Sequence, residues 1–181
     1  MKKQFIFIIF LLFSSFFSFS QSFNSVITVN GLTCAMCSFS TQKSLEKLDF
    51  IKSITPDLEA TSFKVEFKED KFIDFDLIQE KVEDAGFFIG SIDIIFYDNL
   101  IAENDKHSFI DNNLFHIFSE GEIETNVFIL VDKNFIRKND YEIISKKTNH
   151  SCYETGIHTD TCCSKHDNLK SNKVFHIKTT L

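Results

Sequence analysis

The 181-residue chain contains one proline, five glycines, no tryptophan and one arginine, Arg137. So little Pro and Gly excludes a collagen-like or low-complexity polymer, and no Pro/Gly-rich linker or internal repeat stands out. Arginine is scarce but cations are not, because the remaining 18 basic residues are lysine. The formal net charge of -7 still argues against a nucleic-acid binder. No Gly-rich phosphate loop, Gly-x-Ser-x-Gly elbow or His-Glu-x-x-His helix occurs, and no Ser/His spacing suggests a triad. The expectation is therefore that the protein is not an enzyme. What is abundant is phenylalanine, 23 residues of it. Phe and Lys share A/T-rich codons, so the first reading of both is a biased genome.

Long hydrophobic runs are also missing. The longest, Phe5 to Phe13, is well short of the ~18–20 residues a membrane-spanning helix needs. It follows Met1-Lys2-Lys3 and precedes a serine-diluted stretch ending in Ser18-Phe19-Ser20. A basic start, a short apolar core and a small-x-small end predict a secretory signal peptide over 1–20. The expected location is periplasmic or secreted, with an uncleaved membrane anchor as the alternative. Loss of Lys2 and Lys3 would make the mature chain still more acidic.

Residues 24–96 alternate strand and helix patterns. Ser25 to Val29 alternates like a half-buried strand and runs into Gly31. Ser38 to Leu48, with Leu45 and Leu48 on one side, suits a helix lying on a sheet. A short strand over Ile51–Ile54 should end at Pro56, and Phe63, Val65 and Phe67 form a period-two strand. Phe75, Ile78 and Val82 fall on one helical face, Asp74 and Asp76 complement its N-terminus, and Gly86 stops it. Phe88 to Phe96 gives a last strand. The order βαββαβ predicts an α+β fold, a ferredoxin-like sandwich. Residues 97–147 show short apolar runs without a helical stripe, which predicts a small β-rich region. From 148 the chain is a polar, Cys/His-rich tail, with a short strand over Val174–Ile177.

Between the first strand and first helix lies Gly31-Leu32-Thr33-Cys34-Ala35-Met36-Cys37-Ser38. A strand-to-helix turn brings both sulfurs to an exposed tip, where the helix N-terminus favours thiolates. Two thiolates can close on one soft ion, Cu(I) ahead of Zn(II) or another borderline divalent ion. A structural zinc site would want four ligands, and no second Cys-x-x-Cys exists. Few ligands leave an open site, which suits passing the metal on.

This segment resembles the heavy-metal-associated domain of copper chaperones and of the N-terminal modules of metal-transporting P-type ATPases. The family's Gly-Met-Thr-Cys-x-x-Cys appears as Gly31-Leu32-Thr33-Cys34-Ala35-Met36-Cys37. Its helix leucines appear as Leu45 and Leu48, and its closing Glu-Asp-Ala-Gly-Phe/Tyr as Glu83-Asp84-Ala85-Gly86-Phe87. The resemblance implies that Cys34 and Cys37 bind the metal. It also implies that Phe87 packs near the loop, where soluble chaperones often carry Lys. A metal-transport protein presenting its own thiols is the implied partner, alongside the metal ion itself. Leu32 departs from the family's Met, Thr41 from an aliphatic position and Gln42 from an acidic one. Outside the reducing cytosol, Cys34 and Cys37 could also close a disulfide. The rival, a thioredoxin-like thiol-disulfide oxidoreductase, is disfavoured by the element order, by the residues around Cys34 and by the early position of Pro56. A metal-free, disulfide-bonded interaction protein is the third reading.

The tail concentrates His150, Cys152, His158, Cys162, Cys163 and His166 within 17 residues. That density suggests a second soft-metal site, with a disulfide from Cys152 to Cys162 or Cys163 as its competitor. His107, His116 and His176 read as ordinary surface or core histidines.

Overall fold

The computed structural model describes residues 22–69, 71–159 and 171–180. The signal-like segment, and with it Cys162, Cys163 and His166, lies outside the described residues.

Strand β1 (Phe23–Asn30) leads through the Cys34 turn into helix α1 (Ala35–Leu45). Strands β2 (Ile51–Asp57) and β3 (Ser62–Phe67) form a hairpin, followed by helix α2 (Phe75–Asp84) and strand β4 (Phe88–Ala102). The antiparallel order β2-β3-β1-β4 is the ferredoxin-like arrangement. The expected α+β fold is therefore present.

Three boundaries differ from the sequence expectation, each for a physical reason. The first helix ends at Leu45, and Leu48 is buried beyond it. Its buried face is Ser38, Thr41, Ser44 and Leu45. That face is polar because the hydroxyls can be satisfied locally: Thr41 Oγ1 donates to the Cys37 carbonyl at 3.1 Å. Pro56 does not end its strand, because β2 is the sheet edge, where a missing N–H costs no ladder bond. The last strand runs on through Tyr97-Asp98-Asn99 to Ala102, with a register irregularity between Ile95 and Leu100.

That extension determines how the rest of the chain packs. In an isolated βαββαβ unit, β4 would leave an open edge. Here it pairs with β7 (Ile123–Leu130). Strands β5 (Lys106–Ile110), β6 (Asn113–Phe118) and β8 (Val174–Thr179) complete one eight-stranded sheet, ordered β2-β3-β1-β4-β7-β8-β6-β5. The β5–β6 turn places Asp111 and Asn112 at φ 47° and 66°, which suits the twist of a two-residue hairpin. The run Tyr141 to Ile144 is not a strand. It lies in helix α3 (Lys138–Ser145), and a single turn, α4 (Cys152–Thr155), follows.

One apolar core spans both halves. Phe23 meets Phe67, Phe96 and Phe115 with ring centroids 5.6, 5.5 and 5.6 Å away. Phe175 on β8 meets Phe75 of α2 edge-on at 4.9 Å. Such tilted and edge-to-face contacts suit the aromatic quadrupole. Many of the phenylalanines thus build the core, whatever codon bias supplied them. Polar clamps reinforce the junction. Buried Asn113 donates to the Ile73 carbonyl at 2.7 Å and accepts from the Ile73 N–H at 3.0 Å. Lys173 Nζ reaches Asp74 and Asp76 at 2.9 and 2.8 Å. Every residue of β6 is buried, and β8 nearly so. Phe115, Ile117, Phe175 and Ile177 face the main core, while Leu114, Phe118 and Val174 pack with Cys152, Tyr153 and Val131 in two satellite clusters.

Candidate metal centre

Gly31 turns the chain out of β1 with φ +91°, a conformation only glycine adopts without strain. A Cβ there would sit 3.5 Å from the Phe87 ring, so Phe87 lies against the loop as the family resemblance implies. Leu32 packs partly buried on the core. Cys34 then takes the N-cap position in extended geometry (φ -150°, ψ 156°), and its sulfur accepts from the Cys37 N–H at 3.2 Å. The sulfur thereby does the work of a capping oxygen, satisfying one of the helix's unpaired N–H groups.

Cys34 is exposed, Cys37 is half-buried, and neither is in a disulfide. The Cys37 thiol and then the Cys37 N–H, both bonded to the Cys34 sulfur, hold Cys34 below the usual thiol range. The same thiol–thiol bond, then desolvation and the Cys34 charge, push Cys37 up. Cys34 is thus the readier of the two to ionise. A soft cation that displaces the thiol protons would bind both sulfurs at once. Met36 and Phe39 flank the pair and are largely exposed.

Of the expected tail site, His150, Cys152 and His158 fall among the described residues. His150 and Cys152 each come beside His116, in two separate groups of three donors, and the backbone N–H of His158 donates to the Asn172 carbonyl at 2.7 Å. Among the described residues, Cys152 is also met by histidines read from sequence as ordinary. His107 on β5 lies directly opposite His116 on β6, and His116 is in register with His176 on β8. Three histidines therefore line up across three adjacent strands on one face. His107 and His116 stack with centroids 4.2 Å apart, and His150 meets their edges at 5.0 and 5.2 Å.

Carboxylates hold these rings from behind. His116 Nε2 lies 2.9 Å from Asp105, which also accepts from Thr148 at 2.6 Å. His176 Nδ1 lies 2.6 Å from Asp132. Burial, then the neighbouring imidazoles His107 and His176, lowers His116 despite Asp105. Burial, then His150 and His176, lowers His107 to about 4. Both rings are therefore neutral near pH 7, and His116 donates its N–H to an ionised Asp105. The pair is a hydrogen bond rather than an ion pair.

The sequence carried one trace of this arrangement. Phe-His-Ile occurs twice, at 115–117 and 175–177, and the parallel β6–β8 pairing sets Phe115, His116 and Ile117 beside Phe175, His176 and Ile177. A tripeptide repeat is too short to register as a structural repeat without that pairing.

The family model described as "Heavy-metal-associated domain" matches residues 26–88. Similar solved structures include a copper-binding domain from HMA7, a P-type ATPase, at 29% identity, covering 38% of this chain and 90% of that one, with TM-score 0.33. The yeast copper transporter domain Ccc2a is similar at 24% identity, covering 38% and 94%, with TM-score 0.33. The putative copper-ion-binding protein from Bacillus anthracis str. Ames is similar at 18% identity, covering 39% and 99%, with TM-score 0.35. No curated protein matches the chain. Residues 26–88, with their Cys-x-x-Cys loop at the tip of a ferredoxin-like unit, are a heavy-metal-associated domain, a metal-binding module.

Proposed function

We propose that this protein is a soft-metal carrier of the cell envelope, which captures Cu(I) through Cys34 and Cys37 and passes it to a thiol-presenting metal-transport partner. The observation that carries the reading is the loop itself. Two sulfurs sit at an exposed helix N-terminus, and among the described residues they join no group of three or more His, Cys, Asp or Glu donors. A two-coordinate soft site binds Cu(I) well and leaves room for an incoming thiolate, so transfer can proceed by stepwise ligand exchange. The exposed Met36 and Phe39 offer an apolar rim for that encounter. The signal-like sequence over 1–20 supports export, and no described helix is long and apolar enough to cross a membrane.

Competition of the reduced protein against a chromophoric Cu(I) chelator tests capture. The Cys34→Ser/Cys37→Ser variant should lose its tight equivalent of Cu(I), and an unchanged stoichiometry and affinity would refute the assignment. N-terminal sequencing of protein recovered from the envelope fraction tests export. A mature chain starting at Gln21 is expected, and an intact Met1 in a cytosolic fraction would overturn it.

A further inference from the structure

We propose that His116, His176 and Cys152, completed by His107, form a second, internal metal site for a borderline divalent transition-metal ion of the Zn(II) type. The site does not rest on the reading of Cys34 and Cys37, which lie on other elements.

Four observations converge. One donor atom from each of His116, Cys152 and His176 lies within 4.8 Å of the others, and the same holds for His107, His116 and His150. The Cys152 sulfur is 3.7 Å from His116 Nδ1 and 3.4 Å from His107 Nε2. Donors around a tetrahedral zinc, with bonds of ~2.0–2.3 Å, lie roughly 3.3–3.8 Å apart, so His116, Cys152 and His176 need shifts of about 1 Å to close on one ion.

The second observation is the carboxylate backing. With Nε2–H given to Asp105, His116 presents a bare Nδ1 toward the sulfur. With Nδ1–H given to Asp132, His176 presents a bare Nε2. A carboxylate that fixes tautomer and ring orientation is the usual outer shell of a metal-bound histidine. The third is an orphan: His176 Nε2 is fully buried and has no hydrogen-bond partner among the described residues. A buried polar nitrogen left without a partner costs about 1–3 kcal/mol, which a ligated cation would offset.

The fourth is enclosure. Phe118 lies over His116 at 4.5 Å and Tyr153 over His176 at 5.0 Å, centroid to centroid. Tyr153 is pinned by its hydroxyl donating to the Val131 carbonyl at 2.9 Å. The pocket is shielded and its donors are preset. One thiolate with three imidazoles is a borderline set, suited to Zn(II) rather than to the all-sulfur preference of Cu(I).

The test uses the full chain carrying Cys34→Ser/Cys37→Ser, so that only the internal site can respond. Metal-free protein is titrated with Co(II) and then Zn(II). One equivalent of Co(II) should give tetrahedral d–d absorption with a thiolate charge-transfer band, and Zn(II) should displace it. Adding Cys152→Ser should abolish the charge-transfer band. His176→Gln should abolish stoichiometric binding, while circular dichroism reports whether each variant is folded. Asp132→Asn, which keeps the ligands but weakens their support, should lower affinity about 10–100-fold. Failure of the folded parent variant to bind Co(II) or Zn(II) would overturn the proposal. So would binding that survives Cys152→Ser and His176→Gln but is lost in Cys162→Ser/Cys163→Ser/His166→Gln. A cluster that takes Cu(I) and refuses both divalent ions would overturn the ion assignment.

Discussion

Asn113 should be among the most costly polar residues to remove. Its buried amide both gives to and takes from the backbone of Ile73, 40 residues earlier, at 2.7 and 3.0 Å. It acts as a one-residue strand, tying β6 to the loop that enters α2. Asn113→Ala deletes two hydrogen bonds and strands a backbone N–H and C=O beside a fully buried Ile73. At about 1–3 kcal/mol for each unsatisfied group, less what partial water entry restores, the expected loss is about 3 kcal/mol. For a chain of this size, that corresponds to a fall in Tm of about 6–12 °C. Calorimetry of metal-free protein should show one transition moving down as a whole, because the Phe core crosses the junction. Asn113→Asp gives a sharper version. It keeps the acceptor for the Ile73 N–H but turns a carboxylate toward the Ile73 carbonyl, which raises its folded pKa. A group raised on folding contributes stability below its unfolded value and loses it as pH rises through the folded one. The Asp variant should therefore approach the wild type near pH 4 and fall away toward pH 7. A loss under about 1 kcal/mol for Asn113→Ala, or a second transition in the wild type, would refute the single-unit reasoning.

Three further outcomes are expected. Phe23→Ala empties the ring position shared by Phe67, Phe96 and Phe115, and chemical denaturation should show a loss of about 3–5 kcal/mol without a separate C-terminal transition. Gly31→Ala forces φ +91° on an L-residue, so a cost of about 1–2 kcal/mol should appear in the same assay, with weaker Cu(I) binding because the loop relaxes. The metal-free protein should also lose stability in acid. His107 and His116 titrate lower folded than the ~6.5 of an unfolded imidazole, so their contribution is full above pH 6.5 and falls as pH drops toward 4. Linkage at pH 5 puts the loss at about 2 kcal/mol for each ring, an upper figure for partly exposed His107. A flat Tm between pH 7 and 5 would contradict neutral, buried imidazoles.

The metal-binding half was legible because its signals are local. Gly31, the Cys34/Cys37 spacing and the Phe75/Ile78/Val82 stripe each act within one turn or one helix, and all three stand where the sequence placed them. The C-terminal half was legible only in part, because its structure depends on pairing. The β8 pattern was readable at 174–177, yet nothing local says that β8 runs parallel to β6. That one pairing converts His116 and His176, 60 positions apart, into neighbours. Both strands are buried on both faces, so alternation fails as a guide and a histidine there reads as ordinary core. Helix α3 was hidden for another reason: it is only eight residues long, and its apolar run Tyr141 to Ile144 is short enough to read equally well as a strand.

The sheet order also limits how the two donor sets can cooperate. Between β1, which launches the Cys34 loop, and β6, which carries His116, lie β4, β7 and β8. Four strand spacings amount to about 19 Å. Ligand exchange needs both donor sets within bonding reach of one ion, so direct transfer from the cysteine pair to the histidine cluster within one molecule is excluded by distance. The two sites then serve different ends. The exposed pair suits exchange with a partner, while an ion in the cluster would cross-link β5, β6, β8 and the α4 turn, and so stabilise the half of the sheet that covers the β4 edge. Removing that ion should lower Tm and leave Cu(I) affinity at Cys34 and Cys37 unchanged, whereas a tail that fed the cysteine pair would show the reverse.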